Sequence, residues 1–322
     1  MAKPIAGRDL PREVRTLLQK MKAANPVEAI RLVARQVLAD FLSAFPDDGP
    51  EINVEALASF RSIRFAKEPP SFSEDAELVP SDDGRVRMRV NRDRPITRQR
   101  FSIGHEVGHT LFPGYETQVQ CRKSRSRDWY DHTDIIEYLC DVASSEFLLP
   151  LDRFIADLNA KKMSADRLVF LVTRYNTSPE ATIRRLIDLT DEPIAAIFLR
   201  WKHKPSDRLR KSMPGQLKLP GIQRQEPPRK LRIEYSVCNV AFELLGKHIP
   251  VYKSISEDSA IQQASTTGTC LDANRERLDL GAFSGTFRIH ALPIYTQESD
   301  TGPEGACNVA AILQPVQPRR AK

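Results

Sequence analysis

The run His105-Glu106-Val107-Gly108-His109 sets two imidazoles four residues apart, with a carboxylate directly after the first. On a helix those two positions are neighbours on one face, so both rings can direct a nitrogen at a single metal ion. Zn–N bonds of ~2.0–2.1 Å fit that arrangement without distortion. Glu106 is not needed as a ligand. Beside the ion it can take the proton of a water the ion has acidified, the opening step of peptide-bond hydrolysis. The bland alternative for this pattern is a pair of core histidines.

Further on, Glu137-Tyr138-Leu139-Cys140-Asp141 puts two acids one helical turn apart on a common face. Glu137 can supply the third metal ligand, and Asp141 can hold the free N–H of a ligating histidine and so fix its tautomer. Glu137 can equally be the reaching-back acid of a capping box whose cap is Asp134, and Asp141 a solvated helix charge. The conjunction of an apolar-flanked histidine helix with two acids on one face of a later helix favours the zinc reading.

These side chains need helices to hold them. The metal helix is expected from near Thr97 to Phe112, stopped by Pro113-Gly114. Ile135, Ile136, Leu139, Val142, Ala143 and Phe147 recur at helical spacing, predicting a second helix over 134–149 that ends at Pro150. Upstream, Asn25-Pro26-Val27-Glu28 reads as a helix start, followed by Ile30, Val33, Val37, Leu38 and Phe41 on one face. A short helix is expected near Val54 to Phe60, then a turn at Pro69-Pro70.

From Arg85 to Val90, arginines alternate with Val86, Met88 and Val90, as in a half-buried strand at a sheet edge. Its charges either protect the edge from unwanted pairing or flank an edge that receives an extended peptide as an added strand. Tyr115 to Thr133 reads as a long loop over the metal. In it, Tyr130 and His132 are either oxyanion donors or ordinary loop residues.

Over these two helices the chain resembles the ImmA/IrrE family of zinc metallo-endopeptidases. The resemblance lies in Arg100-Phe101 through His109-Thr110-Leu111-Phe112, and in Ile136-Glu137 through Asp141 to Leu148-Leu149-Pro150. It implies His105, His109 and Glu137 as ligands, Glu106 as base and a zincin-like, gluzincin-type catalytic domain. It also implies zinc as the cofactor, with manganese or another divalent ion an alternative. The implied substrate is a regulatory protein, a helix-turn-helix transcriptional repressor whose cleavage switches genes for stress response or mobile-element transfer.

Composition fits a soluble chain of several domains: 322 residues, 41% hydrophobic and 28% charged. Neither an apolar run long enough to span a membrane nor a signal-peptide segment is visible, so a cytoplasmic location and no membrane partner are expected. The five cysteines are scattered without a C-x-x-C pair, which argues against a disulfide scaffold and against a cysteine zinc site. Between Arg200 and Arg232 there are eleven Lys and Arg against two acids, in a stretch rich in proline. With +6 for the whole chain, the remainder is net acidic. The stretch reads as a solvated tether, or as a basic arm for nucleic acid.

The expected fold class is α+β. A mainly helical peptidase domain with a small sheet occupies residues 1–157, and a short helix-turn-helix-like segment 158–201. A basic, proline-rich linker spans 202–230, and a C-terminal α/β domain covers 231–322. The helix pair around Leu168 and Ile183 would expose Thr182, Arg184 and Arg185, either as DNA contacts or as part of a packing element. In the resembled family the C-terminal region is a sensor or GAF-like module. His248 and His290 lack ligand spacing and read as satisfied residues. The rival reading is a DNA- or protein-binding transcriptional regulator with a structural or vestigial metal site; nucleic acid is a possible but not favoured partner.

Overall fold

The computed structural model describes residues 10–46, 49–66, 69, 74–81, 85–115, 120–123, 135–205, 228–295, 302 and 305–316, of which 120–123 only as backbone. The fold is mixed α+β. It divides into two compact units, Ala2–Ala160 with Leu171–Thr182, and Lys161–Phe170 with Ile183–Lys322.

The first unit runs α1 (Arg12–Met21), α2 (Pro26–Ala44), α3 (Val54–Phe60), β1 (Ile63–Phe65), β2 (Glu74–Pro80), β3 (Val86–Val90), α4 (Ile96–His109), β4 (Gln120–Lys123), α5 (Ile135–Leu148) and α6 (Leu151–Asn159). α2 starts as its sequence requires. The Asn25 side chain accepts from the Glu28 amide at 2.9 Å, and the Glu28 carboxylate accepts from the Ala24 amide at 3.0 Å. One face of α2 buries Ala29, Ile30, Ala34, Val37, Leu38 and Phe41. On α5 the carboxylate of Glu146, fully buried, is gripped by Arg35 at 2.9 and 3.1 Å and paired with Arg31 at 3.4 Å.

The small sheet has the order β1-β3-β2-β4. β3 has the expected alternation, with Val86, Met88 and Val90 buried, but it lies between β1 and β2 and is not an edge. The strands that make it interior carry little apolar period. β2, Glu-Asp-Ala-Glu-Leu-Val-Pro, buries three acids, and arginines neutralise two of them. Arg94 and Arg98 pair with Asp75 at 2.8 and 2.6 Å, and Arg89 pairs with Glu77 at 3.1 Å. Through Asp75 the sheet is tied to the first turn of α4.

Two further helices, α7 (Ala165–Tyr175) and α8 (Pro179–Asp188), follow. The exposed recognition face expected on α8 does not form. Thr182 is fully buried and hydrogen-bonds Thr177 at 2.7 Å, Arg185 is buried at 1% exposure, and the Arg184 guanidinium lies 5.6 Å from the Tyr235 ring centre.

The second unit is built on a five-stranded antiparallel sheet of order β6-β5-β9-β8-β7. Its strands are β5 (Ala195–Lys202), β6 (Lys230–Cys238), β7 (Leu271–Asp279), β8 (Ser284–Ile294) and β9 (Asn308–Pro315), with α9 (Val240–Glu243) and α10 (Ala260–Thr267) between them. Ala195–Lys202, read from sequence as the end of a helical segment, is an inner strand here, because Ile197, Leu199 and Trp201 are needed in the core with Ile233, Phe242, Ile289 and Val309. The apolar run from Ile249 to Ile255 forms no named strand and makes one isolated bridge, Arg232 to Ser254. Most of the basic linker, 206–227, lies outside the described residues. No helix of the described residues is long and apolar enough to cross a membrane.

Candidate metal centre

The centre lies within the first unit, where α4 and α5 pack, and glycine sets their spacing. A Cβ on Gly108 would stand 3.0 Å from Cys140 Cα and 3.2 Å from its Cβ, and one on Gly104 would stand 2.6 Å from Ser144 Oγ. The two glycines, one turn apart on α4, thus let Cys140 and Ser144, one turn apart on α5, approach the α4 backbone. Ser144 fastens the contact by donating to Phe101 O at 2.8 Å. Arg61 donates to Thr110 O at 2.9 Å, covering a carbonyl at the end of α4. Arg100, buried, donates to Ile52 O and Asn176 O, each at 3.1 Å, and pairs with Glu51 at 2.6 Å.

With the helices so close, side chains distant in sequence meet. His105 Nε2 stands 3.3 Å from one carboxylate oxygen of Glu137, and His109 Nε2 3.2 Å from the other. The ring centres are 5.0 Å apart. Asp141 Oδ1 accepts from His105 Nδ1 at 2.8 Å. Both histidines and Glu106 are buried, Glu106 completely, while Glu137 and Asp141 keep 16% exposure. Burial alone would raise the Glu137 pKa; hydrogen bonds and positive charge from His105 and His109 more than offset it and hold the carboxyl well below the usual carboxylate range.

The donor chemistry fits a cation. An ionised Asp141 only accepts, so it takes the Nδ1 proton and leaves a lone pair on Nε2 of a neutral His105. That lone pair faces a carboxylate oxygen, and so does the nitrogen of His109. Such a convergence of acceptors is stable only with protons or a metal ion among them. Ligands on a tetrahedral zinc at ~2.0–2.1 Å stand about 3.3 Å from one another, close to the separations seen.

The structure therefore brings together His105, Glu106, His109, Glu137 and Asp141, all on the elements expected to carry them. It adds one residue that the sequence reading set aside. Single donor atoms of His105, His109 and Cys140 lie within 4.8 Å of one another, a second set that could hold a metal, which makes Cys140 a candidate donor. The signal was in the sequence: Cys140 follows Glu137 by three residues, a spacing that shares a helix face. Tyr130, His132 and the proposed cap Asp134 lie outside the described residues. His290 is satisfied as expected, with Nδ1 2.6 Å from Asp272. Among the described residues, Cys140, Cys238, Cys270 and Cys307 are in no disulfide.

Residues 65–186 match Peptidase_M78, the IrrE N-terminal-like domain. This segment contains α4, α5 and His105, Glu106, His109, Glu137, Cys140 and Asp141. Among solved structures, a Mycobacterium tuberculosis transcriptional regulator is similar with a TM-score of 0.46 and 13% identity, covering 94% of this chain and 80% of that one. No curated protein matches the chain in sequence.

Proposed function

We propose that the chain, whose residues 65–186 match the IrrE N-terminal-like domain, is a cytoplasmic zinc-dependent endopeptidase of the ImmA/IrrE kind acting on a regulatory protein. The observation that carries the reading is the Glu137 carboxylate set against Nε2 of both His105 and His109 at 3.3 and 3.2 Å.

His105, His109 and Glu137 would hold the ion, with Asp141 fixing the His105 ring through its Nδ1–H. Zinc bound there supplies Lewis acidity toward the scissile carbonyl and toward water. Glu106, next to a ligand and shielded from solvent, takes the proton of the attacking water and returns it to the departing amine. The substrate, by resemblance, is a helix-turn-helix repressor. The sheet of the second unit, with residues 231–322 as its main part, would serve as a GAF-like sensor module. The regulator reading is weakened by the burial of Thr182 and Arg185 on the helix that would read DNA.

The test is metal analysis of the purified chain together with incubation against helix-turn-helix repressors of the same cell, with fragments identified by mass spectrometry. The expected result is about one zinc per chain and a discrete cut that a chelator abolishes and added zinc restores. A metal-free chain that cuts nothing, or cutting indifferent to chelation, would overturn the reading.

A further inference from the structure

The metal centre has one more soft donor than a hydrolytic site needs. Glu137 and Cys140 are three residues apart on α5, and both face the histidines of α4. Glu137 reaches their Nε2 atoms, and the Cys140 Sγ lies within 4.8 Å of a ring nitrogen of each. Cys140 owes this place to Gly108, since a side chain there would press on the Cys140 Cα and Cβ at 3.0 and 3.2 Å. The thiol has no exposure to solvent, which shields it from outside reagents. On a tetrahedral zinc, donors held by a Zn–S bond of ~2.3 Å and a Zn–N bond of ~2.1 Å stand about 3.6 Å apart, so the Cys140 side chain closes the set by moving toward the two rings by about 1 Å.

We propose that Cys140 is a fourth protein ligand, so that the resting chain holds its metal in a closed site of His105, His109, Glu137 and Cys140, an inference that rests on the metal reading above. In forming that site an S–metal bond is made as the S–H proton leaves to solvent. Four protein donors fill a tetrahedral ion, the arrangement of structural zinc sites, whereas hydrolytic sites keep one position open. Cleavage then requires Cys140 to let go, and Cys140 acts as a built-in restraint on the peptidase. A thiolate in the set also favours zinc over the harder manganese ion.

The experiment replaces the metal of the full chain with Co2+ and records its absorption spectrum. Wild type should show a thiolate-to-cobalt charge-transfer band in the near ultraviolet. Cys140→Ala and Cys140→Ser should lose the band while still binding one Co2+ per chain, and should discriminate less strongly between zinc and manganese. One bound Co2+ without that band in wild type, or a band unchanged in both variants, would overturn the proposal and leave the peptidase reading standing. Absence of any bound metal in wild type would overturn both. Because the wild-type spectrum is decisive alone, misfolding of either variant does not shield the idea.

Discussion

Asp141 Oδ1 accepts a hydrogen bond of 2.8 Å from Nδ1 of His105, although 36 residues of chain separate them. That bond decides which nitrogen of His105 is free to face the centre. Its partner in the argument is Glu137, one turn earlier on the same helix, which meets the other nitrogen. A carboxylate behind a ligating imidazole also makes it more basic. Replacing Asp141 with Ala is expected to lower zinc affinity about 10–100-fold, measured by competition with a coloured chelator. An unchanged affinity would show that ring orientation is set by packing alone.

Gly104 and Gly108 are predicted to differ in their tolerance of a methyl group. At Gly104 the obstacle is the Ser144 hydroxyl, which can turn away and give up its bond to Phe101 O; at Gly108 it is the backbone of Cys140, which cannot. Gly108→Ala should therefore cost about 1–3 kcal/mol of stability, the usual penalty of overpacking, and Gly104→Ala less. Urea unfolding of both variants, with metal affinity as a second reading, checks the order. Equal costs would mean that the two helices move apart as easily at one contact as at the other.

Arg100 is a buried cation bonded to two backbone carbonyls and to Glu51. Lysine keeps the charge but has no planar fork to serve Ile52 O and Asn176 O together. Arg100→Lys should destabilise the first unit by about 1–3 kcal/mol, the penalty for a buried carbonyl left unmatched. A urea midpoint equal to that of wild type would refute this role.

Acid should weaken the metal-free centre in a particular direction. The folded-state pKa of Glu137 is depressed, so its contribution is complete above the ordinary carboxylate value of ~4.3 and is lost as the pH falls toward the depressed value. The stability gap between wild type and Glu137→Gln, both stripped of metal, should therefore narrow as the pH drops from about 5 to about 3. A gap that widens on acidification would reverse the sign of the coupling between Glu137 and the two histidines.

Much of the centre was legible before any coordinates because helix periodicity carries it. Two residues four apart face one way whatever the rest of the chain does, so the His105–His109 and Glu137–Asp141 pairs could be read directly. Cysteine spacing is a rule for sites made of cysteines and passes over Cys140, whose three-residue spacing from Glu137 shares a helix face and whose approach to the histidines depends on the Gly108 contact across two helices. The sheets were less legible. β2 hides its strand character because its buried side chains are acids matched by arginines 12 to 23 residues away. β7, Leu-Asp-Ala-Asn-Arg-Glu-Arg-Leu-Asp, is an edge strand with mostly exposed side chains and so lacks an apolar period. The edge expected at β3 disappeared for the same reason: β1 and β2, which flank it, announce themselves weakly in sequence.

Glu106 gives the sharpest separation between binding and chemistry. It sits between the proposed ligand His105 and Val107 on α4, has no solvent exposure and, like Asp141, is given no ligand role. Glu106→Gln preserves the size and hydrogen-bonding capacity of the side chain but removes its ability to take a proton. The variant should fold, bind zinc with wild-type stoichiometry and lose cleavage by about 10²–10⁴-fold in kcat, the range for a general base. The decisive pair of measurements is bound metal per chain and the rate of repressor cleavage under saturating zinc. Loss of metal along with activity would instead make Glu106 a support for the histidines, and full activity with metal bound would remove it from the mechanism altogether.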